Sequence, residues 1–258
     1  MPIRAAVAPL CAIARGTVLP VVASASLAAM LLLGYLPFHV AAELFCVCVG
    51  LSLFFVSAAL SRLSPTPVLS YVGAGYFWVA LLDLLHMLLY QGMNLHPLGG
   101  ANASAQFWLA GRGVEALVLV SLPLLLDRRD AGRWGFGIYG GLSVAAYGMI
   151  VEGWFPTAYV EGSGLTPFKV GVEYGVIALL GGALLLLRRV RHRLEAEVGK
   201  PLAASILCTM AAELMFTLYV DVYGIVNAAG HILKFWSYWF ILQALLRRGR
   251  EAADEFAA

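Results

Sequence analysis

The chain has 258 residues, of which 61% are hydrophobic and only 12% are charged, and its mean hydropathy is +0.84. This composition excludes an ordinary soluble domain, because soluble domains carry about 25% charged residues. The formal net charge of +2 gains meaning only when each basic residue is assigned to one side of a membrane.

Eight apolar stretches follow one another along the chain, each close to the ~20 residues that a helix needs to cross a bilayer. They predict an all-α membrane protein, a bundle of about eight transmembrane helices, with no room for a soluble catalytic domain. We divide the chain into an N-terminal segment (1–16), a transmembrane domain (17–247) and a charged tail (248–258). The eight stretches are 17–37, 39–61, 69–91, 104–126, 134–152, 169–189, 201–220 and 227–247.

The basic residues predict the orientation of the bundle, because Lys and Arg gather in cytoplasmic connections. If every stretch crosses once, fourteen of the seventeen Lys and Arg residues fall on the side that holds both termini. We therefore expect both termini to be cytoplasmic. The three exceptions are Arg112, Lys169 and Lys234.

Ionisable side chains interrupt the apolar stretches at one level. Asp83 and His86 are one turn apart on one helical face, about 10 Å and 6 Å below the predicted outer boundary. Ionisable groups at this depth are costly and usually face a protein interior or a watery cavity. The inner half of each stretch has almost none. The residues that we assign to one outward-facing pocket are His39, Glu43, Asp83, His86, Arg112, Glu115, Glu173, Glu213, Asp221, Asn227, His231 and Lys234.

Simpler interpretations exist for several of these residues. Buried charges need partners, so Arg112 could simply neutralise Glu115 or Asp83, and Lys234 could neutralise Glu213. The DVYGIVN turn is flanked by Asp221 and Asn227. Shaping this turn could be the whole role of these two residues.

Two outer connections border the predicted pocket. QGMNLHPLGGANASAQ is uncharged and rich in Gly and Asn, which is typical of a mobile rim. WFPTAYVEGSGLTPFK contains Pro and Gly turn formers together with aromatic residues that would pack it down. This second connection is expected either to fold back as a lid or to form an ordinary interfacial loop.

Three histidines suggest a second kind of site. His39, His86 and His231 lie on three helices at similar depth, and neutral imidazole suits haem iron, copper or zinc. Two of them could ligate a haem from both faces, with Arg112 or Lys234 pairing a propionate. No ligand spacing is diagnostic, since HxxxH, CxxC and CxxCH are absent. The four cysteines lie in apolar context and are expected to be small buried hydrophobes.

Several segments resemble the third type of bacterial membrane-associated sensor domain, over about residues 36–245. The resemblance implies a non-enzymatic input module of the bacterial inner membrane, placed N-terminal to a histidine kinase or diguanylate cyclase. It also implies functional roles for every pocket residue above except Glu115. The segments are HVAAELF (39–45), LLDLLHMLLYQGM (81–93), FWLAGRGVEAL (107–117), EGSGLTPFK (161–169), VEY (172–174) and AAELMFTLYVDVYGIVNAAGHILKFWSYWFI (211–241).

The end of the chain departs from this family arrangement. After the last apolar stretch the sequence has only LLRRGREAADEFAA. Either the protein is a free-standing sensor that signals through a partner, or the sequence stops before an output domain. The expected partners are therefore the lipid bilayer and a cytoplasmic output domain or protein of kinase or cyclase type. Homodimerisation stays open, and no nucleic-acid partner is expected. A transporter is disfavoured because the inner half lacks a polar path.

Overall fold

The computed structural model describes residues 18–61, 67–194 and 196–257, and this part of the chain is a bundle of α-helices. The predicted N-terminal segment (1–16) and Arg62 lie outside the described residues. The helices are α1 (Val18–Leu33, ending in a 3-10 turn), α2 (Tyr35–Leu60), α3 (Pro67–Leu88), α4 (Ala101–Ser121), α5 (Ala131–Val151), α6 (Pro167–Arg189), α7 (Ala196–Leu218) and α8 (Ile225–Ala257).

Six of the described helices, α2 to α7, are long and apolar enough to cross a membrane. Helix α1 is apolar but shorter. Helix α8 is not among the six, since Asn227, His231 and Lys234 lower the hydropathy of its first half. The predicted all-α membrane protein is thus confirmed. That the chain crosses eight times, with both termini cytoplasmic, stays a prediction.

Six helices pack into a closed ring. Helix α2 contacts α3, α3 contacts α4, α4 contacts α6, α6 contacts α7, α7 contacts α8, and α8 returns to α2. Helix α5 lies outside the ring and packs against α3 and α4. Of the membrane-spanning helices α3 and α4 are the most deeply buried. Side chains that point inward from the ring therefore meet at its centre, away from lipid.

A short hairpin between α5 and α6 packs against one end of this ring. Its strands, β1 (Tyr159–Val160) and β2 (Gly164–Leu165), are antiparallel. The Oδ1 of Asn102, at the start of α4, accepts hydrogen bonds from the backbone N–H groups of Ala158 and Tyr159 at 2.8 and 3.1 Å. The connection thus folds back onto the start of α4, and its role as a lid stays a prediction.

The orientation of the bundle can be tested with reporter domains at four positions in or close to the connections between helices. Reporters at Gly99 and Gly162 should be outside, and reporters at Ala131 and Gly199 should be inside, because the basic residues border the latter pair. Protease protection in intact cells would measure the side of each. A reversed result at any one position would contradict an alternating eight-span topology.

A buried polar cluster inside the helix ring

All the predicted pocket residues except Asp221 are buried side chains of the ring helices. On α2 His39 and Glu43 are four residues apart, and on α8 His231 and Lys234 are three apart, so each pair shares a helical face. All these side chains are buried. The spacing that predicts these side chains at one level is thus also the spacing that turns them toward each other inside the ring.

Asp83 is the most heavily hydrogen-bonded carboxylate of the cluster. Arg112 donates from Nη2 to both carboxylate oxygens at 2.8 Å, and Nζ of Lys234 forms an ion pair with Oδ2 at 3.0 Å. The hydroxyl of Tyr238 also donates to Oδ2, at 3.0 Å. Arg112 additionally pairs with Glu115 through Nη1. Both carboxylates that the sequence proposed as partners of Arg112 are thus its partners.

Glu43 joins α2 to α8. Its Oε1 lies 2.9 Å from Nδ1 of His231, and its Oε2 accepts a hydrogen bond from Nζ of Lys234 at 2.6 Å. Lys234 therefore bridges Glu43 on α2 and Asp83 on α3. The expected pairing of Lys234 with Glu213 is wrong, because the α8 face that carries Lys234 is turned toward α2 and α3.

The three histidine rings form a contiguous group. The Nε2 atoms of His39 and His86 are 3.3 Å apart, and the ring centroids of His39 and His231 are 4.7 Å apart. The Nδ1 of His86 lies 2.9 Å from the backbone oxygen of Ser104. Since a carbonyl oxygen only accepts, His86 carries its proton on Nδ1 and offers a lone pair at Nε2.

An aromatic ring covers the two cations of the cluster. The indole ring of Trp108 lies 4.8 Å from the guanidinium carbon of Arg112 and 4.4 Å from Nζ of Lys234. Cations over an aromatic face are attracted by the ring quadrupole, and more strongly when water is excluded. Trp108 thus stabilises both cations through the face of its ring.

A second polar group lies between α6 and α7. Lys169 pairs with Glu173 one turn along α6, and it donates to the backbone oxygen of Phe216 at 2.9 Å. Glu213 on α7 is fully buried, and neither of its carboxylate oxygens has a hydrogen-bond partner in the described part of the chain. Its nearest charged neighbours include Glu173 and Arg112.

The two polar residues that flank the α7–α8 turn lie in different environments. Asn227 is buried, and its Nδ2 donates to the backbone oxygen of Val222 at 2.6 Å and to the hydroxyl of Tyr90 at 3.1 Å. Burial raises the pKa of Tyr90, so this phenol stays neutral. Asp221, by contrast, is exposed and accepts from the backbone N–H of Tyr223 at 3.0 Å. The structure does not bring Asp221 into the cluster, and its carboxylate shapes the turn.

A family model described as MASE3, membrane-associated sensor domain, matches residues 31–251, which is nearly the whole chain. The chain belongs to this family. The match includes all six ring helices and every residue of the buried cluster, in agreement with the resemblance seen in the sequence. Comparisons with curated proteins and with solved structures found no match.

Two cavities lie near the cluster of this MASE3 domain. An inner cavity of about 20 Å³ has room for roughly one water molecule, and its lining includes His86, His231 and Asn227. An open outer cavity of about 370 Å³ lies between the α3–α4 connection and the hairpin. Tyr90 lines both cavities. The predicted open pocket is therefore, among the described residues, a closed cluster beneath a surface depression.

A haem does not fit this arrangement of the MASE3 domain. His39 and His86 are too close, at 3.3 Å between Nε2 atoms, for a macrocycle to lie between them. Arg112 and Lys234, the candidate propionate partners, are already paired with carboxylates. The inner cavity holds roughly one water, far less than a porphyrin needs.

Several cluster residues of the MASE3 domain were not selected from the sequence. Each continues a helical face that was already marked by a selected residue: Trp108 is four residues before Arg112, and Tyr238 is four residues after Lys234. Reading these faces for hydroxyls and aromatic rings as well would have found all of them except Lys169, which the sequence already showed as a basic residue outside the cytoplasmic connections. The additional residues are Tyr76, Ser104, Trp108, Lys169 and Tyr238.

Proposed function

We propose that this MASE3 domain is a sensory input module whose buried cluster responds to a small polar ligand or ion and whose α8 transmits the change. The output is a cytoplasmic domain or partner protein of histidine kinase or diguanylate cyclase type, and the domain itself is not a catalyst. The membrane is taken to be the inner membrane of a bacterium, with the cluster on the outer side.

The course of α8 is the observation that carries this proposal. The helix begins at Ile225 beside the cluster and runs unbroken to Ala257, a length of about 50 Å at 1.5 Å per residue. A bilayer core is only ~30 Å thick. One rigid element thus joins the sensing groups to a region well beyond the opposite membrane surface.

The outer cavity gives the ligand a route. It is lined by polar groups that include Asn94, Asn102 and Glu161, and it borders Tyr90. Tyr90 donates a hydrogen bond to the backbone oxygen of Val222 in the α7–α8 turn. Movement of this phenol would therefore open the inner cavity and disturb the start of α8 together.

The ion pairs supply a way to couple the site to the helix. Lys234 holds α8 to Glu43 of α2 and to Asp83 of α3. A ligand that binds either carboxylate, or His231 beside Glu43, competes with these bonds. A ligand can move α8 only if it binds one position of the helix more tightly than another. Competition for these ion pairs would give the ligand this difference in affinity.

The coupling can be tested without knowing the ligand, by removing the bridging charge. In Lys234→Met, the mean distance between spin labels at Leu185 on α6 and Leu246 on α8 should change by about 1–2 Å or more, the usual scale of helix shifts. Both label sites are exposed. Pulsed electron paramagnetic resonance in lipid nanodiscs, with the native cysteines replaced, measures the distance.

Leu214→Ala is the matched control for this measurement, because Leu214 is an exposed side chain on α7 outside the cluster. Its distance distribution should equal that of the parent protein. Identical distributions for the parent protein and Lys234→Met would show that the cluster does not set the position of α8, and the proposal would fail.

A further inference from the structure

We infer that His39, Glu43 and His231 form a binding site for one divalent transition-metal ion, at the contact between α2 and α8. This inference rests on the proposed function, since it names the class of ion to which the cluster responds. Its test measures binding directly, so that its failure can be told apart from a failure of the coupling.

The positions of the donor atoms are the first argument. One ligand atom of each of the three residues lies within 4.8 Å of those of the other two, and all three side chains are buried. Donor atoms on one transition-metal ion are about 3 Å apart, because the metal–ligand bonds are about 2.0–2.2 Å long. Binding of an ion therefore requires the three side chains to rotate toward a common point.

An unused lone pair on His39 is the second argument. The Ser104 carbonyl fixes the proton of His86 on Nδ1, so Nε2 of His86 must accept the hydrogen bond from Nε2 of His39. The proton of neutral His39 is therefore on Nε2, and its lone pair is on Nδ1. That Nδ1 is buried and has no hydrogen-bond partner in the described residues. A fully buried imidazole lone pair without a donor is an open metal ligand.

The surroundings have the form of an outer ligand shell. Metal-bound histidines usually donate their other ring N–H to a fixed acceptor, which sets the tautomer and the ring orientation. His39 does so toward His86, and His86 does so toward Ser104. We therefore assign His86 as a positioning residue of the site, in place of the direct ligand expected from the sequence.

The donor set selects the class of ion. Two imidazoles and one carboxylate suit Zn²⁺, Co²⁺, Ni²⁺ or Cu²⁺, whereas Mg²⁺ and Ca²⁺ prefer oxygen donors only. Lys234 occupies Oε2 of Glu43, so the metal would bind Oε1, which exchanges its present hydrogen bond with Nδ1 of His231 for the ion. His231 binds through Nδ1 once its proton moves to Nε2, and the inner cavity, which His231 lines, has room for one water to accept that N–H.

The balance of buried charge around the site favours a bound cation. Where α2, α3, α4 and α8 meet, three buried carboxylates pair with two buried cations. With neutral histidines, an excess of one negative charge remains, and uncompensated charge is strongly disfavoured in a protein interior. A metal ion beside Glu43 compensates this excess. The carboxylates are Glu43, Asp83 and Glu115, and the cations are Arg112 and Lys234.

Metal binding to the purified full chain is the test. Equilibrium dialysis against Zn²⁺, followed by metal analysis, should give one tightly bound Zn²⁺ per chain that excess Mg²⁺ does not displace. His39→Ala and His231→Ala should abolish this binding. His86→Ala should weaken it about 10–100-fold, as expected for loss of an outer-shell partner. The exposed His96 and His192 give matched controls, and their alanine variants should bind as the parent protein does.

X-ray absorption spectroscopy of the Zn²⁺-loaded parent protein keeps the test independent of the folding of any variant. It should show scattering from two imidazole rings, and an all-oxygen shell would overturn the inference. So would the absence of bound Zn²⁺, or unchanged binding in folded His39→Ala and His231→Ala.

The spin labels at Leu185 and Leu246 separate the two proposals. If Lys234→Met changes the distance between the labels but the protein binds no Zn²⁺, the coupling stands and the metal site is excluded. If Zn²⁺ binds at the histidines but Lys234→Met leaves the distance between the labels unchanged, the metal site stands and the coupling is excluded.

Discussion

Replacing Arg112 by alanine is expected to lower the free energy of unfolding by roughly 3–5 kcal/mol, the cost of leaving a buried charge without its partner. The guanidinium contacts Asp83 through two hydrogen bonds and pairs with Glu115, and all three side chains are buried. Truncation would leave Glu115 without its cation and Asp83 with Lys234 in place of two cations. Reversible unfolding in mixed micelles, followed by circular dichroism, measures the loss.

The matched control removes a surface ion pair that also involves arginine. Arg193 pairs with Asp127, but the side chains are 37% and 81% exposed. Exposed pairs contribute about 0–1 kcal/mol, so Arg193→Ala should change stability little. Equal losses in Arg112→Ala and Arg193→Ala would mean that water reaches the cluster in solution, and the closed arrangement would have to be abandoned.

Replacing Lys234 by methionine should be comparably destabilising, and a second substitution should recover part of the loss. Lys234→Met leaves Glu43 with only His231 as a partner. Glu43→Gln removes that uncompensated charge, so the double variant should lose less than the sum of the single losses. Residues in direct contact typically show coupling of about 0.5–3 kcal/mol in such double-mutant cycles.

The same micelle unfolding assay on the parent protein, both single variants and the double variant provides this cycle. Lys200→Met is the control, because Lys200 is exposed on α7 and its loss should change stability by no more than about 0.5 kcal/mol. Strictly additive losses for Lys234→Met and Glu43→Gln would show that the two side chains do not interact in the membrane-like environment.

Much of the cluster could be predicted from the sequence, because a charge in an apolar helix is visible without any knowledge of the fold. The i, i+4 pair His39 and Glu43 and the i, i+3 pair Asp83 and His86 each mark an inward face. Since charged groups avoid lipid, those faces had to meet inside the bundle. The family resemblance, confirmed by the match over residues 31–251, pointed in the same direction.

The partners within the cluster could not be predicted, because they depend on which helices are neighbours. Lys234 meets Glu43 because α8 closes the ring against α2, a contact between residues 191 positions apart in the chain. Helical periodicity gives the face of each helix but carries no information on the order of helices around a ring. That is why Glu213, at a suitable depth on the adjacent α7, was an equally reasonable partner for Lys234.

The closure of the cluster was also not foreseeable from charges alone. Tyr238 lies in the FWSYWF run, which reads as packing, yet its hydroxyl donates to Asp83. Trp108 likewise reads as apolar, yet it covers two cations. Aromatic residues have a polar handle or a charged face as well as a large surface, and the sequence does not say which of these is used.

Because α5 lies outside the ring, its outward surface is separate from the buried cluster. Its outward residues, such as Ile138 and Val144, are exposed and lie away from every charged group of the cluster. Substitutions there change the outer face of the domain without removing a contact of the cluster. The outer face of α5 and the buried cluster that we propose as the sensing site can therefore change independently of each other.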